Sequence, residues 1–193
     1  VAGSGPAGIA AALAAARSGA STCLVERYGY LGGMMTGAHV TAVLGVGDGH
    51  GTKAQGLTAE IRERMERHGP VIPGRSGDYR VDAEVFKWQV GEILAEAGVH
   101  IRLHTLACAP VLDGPRVCGA YLESKSGREA ILAAVTVDAT ADADLAHRAG
   151  CGSDNETHDV TLGYRLAGID TERVERFRQE SPEDYEEIAT EAA

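Results

Sequence analysis

The stretch Gly3-Ser4-Gly5-Pro6-Ala7-Gly8, with its glycines spaced G-x-G-x-x-G, constrains this chain more than any other feature. Such a spacing leaves an apolar strand, turns tightly and opens a helix. Gly3 permits the turn, Gly5 lets backbone approach a pyrophosphate, and Gly8 lets the helix pack closely on the strand. The exposed N–H groups and the helix dipole then favour a negative charge. Alone, the spacing also fits an ordinary strand-to-helix turn. Glu26 sharpens it, because an acid ending the second strand about 20 residues on can accept hydrogen bonds from a ribose hydroxyl pair. A bound dinucleotide is therefore expected.

Only Val1 and Ala2 precede the turn. The absent initiator methionine, the shortened first strand and the abrupt end at Ala193 lead us to expect a piece of a longer protein, cut inside its first βαβ unit. The strand at stake belongs in the centre of a parallel sheet, where its loss removes ladder partners and a buried apolar face. By itself the 193-residue chain is expected to be poorly stable and to hold a cofactor weakly.

Past the turn, residues 6–17 favour helix, with proline in the first turn, a run of alanines and Gly19 as a stop. A strand over 21–25 ends at Glu26 and completes a βαβ skeleton. A glycine-rich passage over 29–51 separates it from a second helix over 54–67, where Leu57, Ile61 and Met65 recur at four-residue spacing. Residues 70–80, rich in proline and glycine, are expected to form a loop. Asp82 caps a periodic helix with Val85, Phe86, Val90, Ile93, Leu94 and Ala97 on one face. A strand over 99–103 follows, then strands over 117–123 and 130–137 around a turn at Ser126-Gly127, an antiparallel meander. Strand character persists to Ala139, before a short helix over 144–149. Beyond Gly152 the composition shifts, with a strand expected over 160–169 and helix starts at Asp170-Thr171 and Ser181-Pro182.

Against 18 Lys+Arg stand 28 Asp+Glu, a formal charge of −10, and no basic run interrupts that balance. Nucleic acid and anionic membranes are excluded as expected partners. The longest apolar stretch, over 9–16, is far too short for a bilayer span and lacks the start of a signal peptide, so a cytoplasmic protein is expected. Cys23, Cys108, Cys118 and Cys151 form no C-x-x-C pair and read as buried free thiols. None of the seven histidines has metal-ligand spacing, so no metal is expected. His39 is singled out only because it lies a few residues beyond Gly33, and Trp88 reads as packing or edge. Asp142 and Asp144 read as helix caps.

Three motifs carry a resemblance: GSGPAG, VERYGYLGGM and SKSGREAILAAVTVDATADADLAHRAG. They resemble the FAD-dependent oxidoreductase family whose flavin domain is of the glutathione-reductase type, over residues 1 to about 187. The resemblance implies an α/β, Rossmann-like FAD-binding domain over 1–158, with a central parallel sheet and an antiparallel β-meander, and the start of a second, substrate domain over 159–193. It implies that Gly3, Gly5, Pro6, Ala7 and Gly8 hold the pyrophosphate, that Glu26 binds ribose with Arg27 beside it, and that Gly33 and Met34 lie alongside the diphosphate and the flavin arm. It further sets the Ala107 backbone against adenine and lines the AMP side with Ala139 and Thr140. Ala141 stands where the family usually has glycine.

The implied activity is FAD-dependent redox chemistry on an unidentified small-molecule substrate, with no catalytic side chain assignable. A homo-oligomer or an electron-transfer partner stays open. Unlike the related flavin disulfide reductases, the stretch GGMMTGAHV holds no cysteine, which disfavours thiol-disulfide chemistry. Two alternatives remain: an NAD(P)-binding dehydrogenase, and a non-catalytic nucleotide-binding relative.

Overall fold

The computed structural model describes residues 1–44, 55–74, 78–152, 163 and 165–191. It divides into two compact units, Val1–Gly163 and Tyr164–Ala193. The expected domain boundary at 158/159 lies outside the described residues.

In the first unit, helix α1 (Pro6–Arg17) begins with Pro6 in its first turn, where a missing N–H costs nothing, and stops at Gly19, whose φ of 89° suits glycine. It buries Gly8, Ile9, Ala12 and Leu13. Strand β1 (Cys23–Val25) follows, then the single-turn helix α2 (Met34–Gly37) and the two-residue strand β2 (Ala42–Val43). Helix α3 (Leu57–His68) occupies most of the expected second helix; the start expected at Ala54 lies outside the described residues.

The loop expected over 70–80 is instead built around two short strands, β3 (Val71–Pro73) and β4 (Tyr79–Val81), which form an antiparallel sheet in the order β2-β4-β3. The pattern overrides the prolines for a physical reason. Tyr79 and Val81 are buried while Arg80 is exposed, the alternation of a half-buried strand. Pro73 sits on an edge strand, where proline is tolerated.

Helix α4 (Ala83–Glu96) is capped as expected: Asp82 accepts from the amides of Glu84 at 2.8 Å and Val85 at 3.1 Å. It buries Phe86, Val90, Ile93 and Leu94 against Ile9, Leu13, Leu24 and Met65. Each such large side chain contributes about 1.5–3 kcal/mol when fully buried. Strand β5 (His100–Arg102) pairs in parallel with β1, joining Cys23 to His100 and Val25 to Arg102.

The meander has three strands, β6 (Thr105–Asp113), β7 (Arg116–Ser124) and β8 (Gly127–Leu132), paired antiparallel in that order. Strand β8 ends at Leu132, five residues short of the expected end at Val137. The chain then leaves the meander, because Val137 and Asp138 find partners elsewhere. Ala2 donates to the Val137 carbonyl at 2.9 Å, and Ala139 donates to the Ala2 carbonyl at 2.8 Å. On its other side, Ala2 bridges Val25 in parallel. The two residues before the glycine turn therefore stand between β1 and Asp138, inside the parallel sheet. Helix α5 (Asp144–Arg148) closes this unit, and its Leu145 packs with Ala2, Val25, Ala107, Ala120 and Leu122 in a second core cluster.

The second unit holds helix α6 (Thr171–Glu180), capped by Asp170, which accepts from the Arg173 amide at 2.9 Å, and helix α7 (Pro182–Glu191). Both start where the sequence puts them. Phe177 and Tyr185 meet edge to face at 6.4 Å. In the strand expected over 160–169, residues 160–162 and 164 lie outside the described residues, and 165–169 carry no strand pairing. Gly168, at φ 75°, interrupts the extended backbone such a strand needs.

Candidate functional site

The glycine turn is the floor of a cleft of about 930 Å³. Two of its glycines are packing positions. A Cβ on Gly3, which takes φ +91°, would lie 2.3 Å from the Ala139 carbonyl oxygen, and one on Gly8 would lie 1.9 Å from that of Gly3. Gly5 is different. A Cβ there would meet nothing within 4 Å, and the residue lines the cleft. Bare backbone at the start of α1 thus borders open space, and the first-turn amides of the helix have no partner within it.

Glu26, only 5% exposed at the end of β1, is tied to this turn. Its Oε2 accepts from the Ser4 amide at 2.9 Å and from Ser4 Oγ at 2.5 Å, and its Oε1 accepts from the Tyr28 amide at 2.8 Å. Ser4 itself is fully buried. The loop before α2 rests on the same turn: Gly32 donates to the Ser4 carbonyl at 2.9 Å, and a Cβ on Gly33 would stand 2.8 Å from Gly5 Cα. Side chains next to Glu26 form a column along the wall. The Arg27 guanidinium lies 4.8 Å from the Tyr28 ring, Tyr28 stacks on Tyr30 at 5.5 Å, and Lys87 Nζ lies 4.6 Å from the Tyr30 ring.

A second turn, over 138–143, forms the facing wall. Asp138 Oδ1 accepts from the Thr140 amide at 3.0 Å and hydroxyl at 2.7 Å, and Oδ2 accepts from the amides of Leu145 at 2.9 Å and Ala146 at 2.8 Å. Burial alone pushes this carboxyl upward, yet the Thr140 hydroxyl and the Ala146, Thr140 and Leu145 amides outweigh it and hold Asp138 below the ordinary aspartate value. The cap expected from Asp142 or Asp144 is therefore supplied by Asp138, while Asp144 pairs with Arg148 at 3.2 Å. Asp138 wins because its place at the bridge to Ala2 lets both oxygens reach the turn and the start of α5. Ala141 and Ala143 take φ of 77° and 54°, in the left-handed region that favours glycine.

Of the residues singled out in the sequence, Gly3, Gly5, Pro6, Ala7, Glu26, Arg27, Gly33, Met34, Ala107, Ala139 and Thr140 all line this one cleft. Gly8 does not line it; its hydrogen is needed where α1 crosses Gly3. His39 is exposed and outside the lining, although Ala38 and Val40 belong to it. Trp88 is half exposed, edge-on to His68 at 4.9 Å. Four contributors went unmarked in the sequence: Ser4, Tyr28, Tyr30 and Asp138. Ser4 and Asp138 had a signal, a hydroxyl between two glycines and the acid that opens the D-A-T segment. The tyrosines had none, since their stacking depends on how the chain bends after Glu26. Among the described residues no cluster of three or more His, Cys, Asp or Glu could hold a metal, and no helix is long and apolar enough to cross a membrane.

Solved structures with the same fold include THI4 from Thermovibrio ammonificans, at 23% identity and a TM-score of 0.56, covering 76% of this chain and 58% of that one. The myxobacterial chondrochloren halogenase CndH, a variant of FAD-dependent halogenases, aligns at 19% identity and a TM-score of 0.52, over 68% of this chain and 34% of its own. A geranylgeranyl bacteriochlorophyll reductase-like protein from Thermoplasma acidophilum aligns at 18% and 0.50, over 68% and 36%. The chain thus spans from about a third to somewhat over half of these proteins. No curated protein matches it by sequence. The family match runs over residues 1–191, nearly the whole chain, and with the cleft just described it makes this protein a member of the FAD dependent oxidoreductase family, with FAD as its cofactor.

Proposed function

We propose that the first unit grips FAD by its adenosine diphosphate portion and that the protein uses it for redox chemistry on a small-molecule substrate. The single observation that carries this reading is Gly5, a bare backbone position opening on a cleft that also gathers Glu26, Gly33, Ala107 and the turn after Asp138. The residues fit the group. Amides of Gly5 and Ala7 at the start of α1 suit a diphosphate, and they do so in a chain whose net charge of −10 offers an anion little elsewhere. Gly33 and Met34 present backbone along the same edge, Glu26 offers a carboxylate oxygen to ribose, and Ala107, Ala139 and Thr140 shape the adenosine side. When bound, FAD supplies the acceptor for a hydride or an electron pair; the protein supplies position and electrostatics.

On this reading residues 159–193 belong to a substrate domain, where substrate-facing groups are to be sought. A cytoplasmic setting belongs to the same reading; the four cysteines are free but not buried as expected, since Cys23, Cys108 and Cys118 are half-buried and Cys151 is exposed. A second reading, a nucleotide-binding relative without turnover, is favoured by the Ala141 methyl on the cleft wall.

The test is titration of the purified protein with FAD, followed by calorimetry and by flavin fluorescence, beside Gly5→Val. We expect one FAD per chain, held weakly as anticipated for this chain by itself, and a further loss of at least about tenfold in affinity for the variant, a change of 1.4 kcal/mol, with its melting temperature kept. No binding by the wild type, or unchanged affinity in Gly5→Val, would sink the reading. Bound flavin that dithionite reduces but no organic donor does would favour the second one.

A further inference from the structure

Glu26 is nearly saturated before any ligand arrives. An ionised carboxylate offers about four acceptor sites, and the protein's own donors fill three of them: the Ser4 amide and hydroxyl on Oε2, and the Tyr28 amide on Oε1. Among the described residues no further donor reaches the carboxylate, which leaves one site, on Oε1. Ser4 is fully buried and Glu26 nearly so, and both border the cleft. A short hydroxyl-to-carboxylate bond of 2.5 Å fixes the side chain's rotation as well as using up a lone pair.

We propose that Ser4 is a positioning residue: it aims Glu26 at a single hydroxyl of the adenosine ribose and denies the carboxylate a two-hydroxyl grip. The inference rests on the reading of the cleft as the FAD site. It departs from the expectation that this acid accepts from the hydroxyl pair, because Oε2 is already committed to residue 4. The free Oε1 site makes one charge-assisted hydrogen bond with ribose; the second hydroxyl must look to other groups or to water.

FAD and its 2′-deoxyadenosine and 3′-deoxyadenosine analogues, titrated into the wild type and Ser4→Ala, test this directly. In the wild type one analogue should bind about tenfold more weakly than FAD, as expected for a hydrogen bond to a charged group, and the other less than about threefold more weakly. In Ser4→Ala that asymmetry should disappear, since Oε2 keeps the backbone amide of residue 4 but regains the acceptor site the hydroxyl held, and can take the second ribose hydroxyl. Ser4→Thr, which keeps the hydroxyl, should restore it, and in Glu26→Gln the Ser4→Ala change should have no further effect on the ratio. A purely structural role for Ser4 would weaken all three ligands alike. Ser4→Gly, which keeps the amide and adds no bulk, gives the same readout if the alanine variant folds poorly. Equal losses for both analogues in the wild type, or an asymmetry that survives in Ser4→Ala and Ser4→Gly, would overturn the inference while leaving FAD binding intact. Failure of the wild type to bind FAD would instead overturn the proposed function, and this inference with it.

Discussion

The cleft is bounded by two turns that use one device and differ in their backbone. At each, a carboxylate beside the parallel sheet accepts hydrogen bonds from the turn next to it: Glu26, after β1, from Ser4 and Tyr28, and Asp138, at its bridge to Ala2, from Thr140, Leu145 and Ala146. The first turn puts glycine where the chain goes left-handed or crosses other backbone, at Gly3 and Gly8. The second puts alanine at φ 77° and 54°. Left-handed backbone costs a residue with a Cβ about 1–2 kcal/mol. The first turn is thus free of that cost and intolerant of an added atom at Gly3 or Gly8, whereas the second carries strain that its carboxylate must hold down. The two turns lean on each other, since a Cβ on Gly3 would strike Ala139.

Gly8→Ala should have the largest effect. Its methyl would stand 1.9 Å from the Gly3 carbonyl oxygen, which neither α1 nor the turn can vacate without breaking the bridges of Ala2. A loss of about 3 kcal/mol in a urea unfolding experiment is expected, at the upper end for overpacking. A loss below about 1 kcal/mol would show that the first turn is no more rigid than the second.

Next is Asp138→Asn, which replaces one charged acceptor oxygen by an NH₂ facing amide donors. We expect about 2 kcal/mol of destabilisation at pH 7, the scale of hydrogen bonds to a charged group. Acid adds a signature. The folded Asp138 value lies below the unfolded one of about 3.9, so its stabilisation is complete above that pH and is lost as pH falls through the folded value. Stability measured from pH 6 down to 2 should show this loss in the wild type and lack it in the variant; parallel curves would refute the assignment.

The smallest effect belongs to Ala141→Gly. Relief of the left-handed penalty, less the extra freedom glycine brings to the unfolded chain, leaves a gain of about 0.5 kcal/mol. The same substitution clears a methyl from the cleft wall. A Tm that rises slightly, with FAD affinity raised or unchanged, would sharpen the contrast between the turns; a lower Tm would break it.

Much of this was legible in the order of residues. The glycine spacing, the Asp82 cap and the periodicity of α4 are local, so they can be read without knowing what lies opposite. The short sheet over 71–81 was hidden because Pro70, Pro73 and Gly74 signal a loop, and only the burial of Tyr79 and Val81 outweighs them. Strand β8 was overextended because residues 133–137 keep strand-like composition after they change partners. Candidate positions such as Gly33, Ala107 and Thr140 came from resemblance to known motifs, and nothing in their spacing alone brings them together.

Sequence by itself determined the βαβ beginning, the acid at the end of β1 and the glycines of the turn, because tight turns, helix starts and strand ends depend on neighbours a few residues away. Tertiary structure alone decided which carboxylate caps α5, that Ser4 occupies two of the acceptor sites of Glu26, and that Gly5 and Gly8 have opposite duties. Those outcomes depend on which atoms lie across space, and a Cβ in open cleft and one 1.9 Å from a carbonyl oxygen are the same letter until the chain has folded.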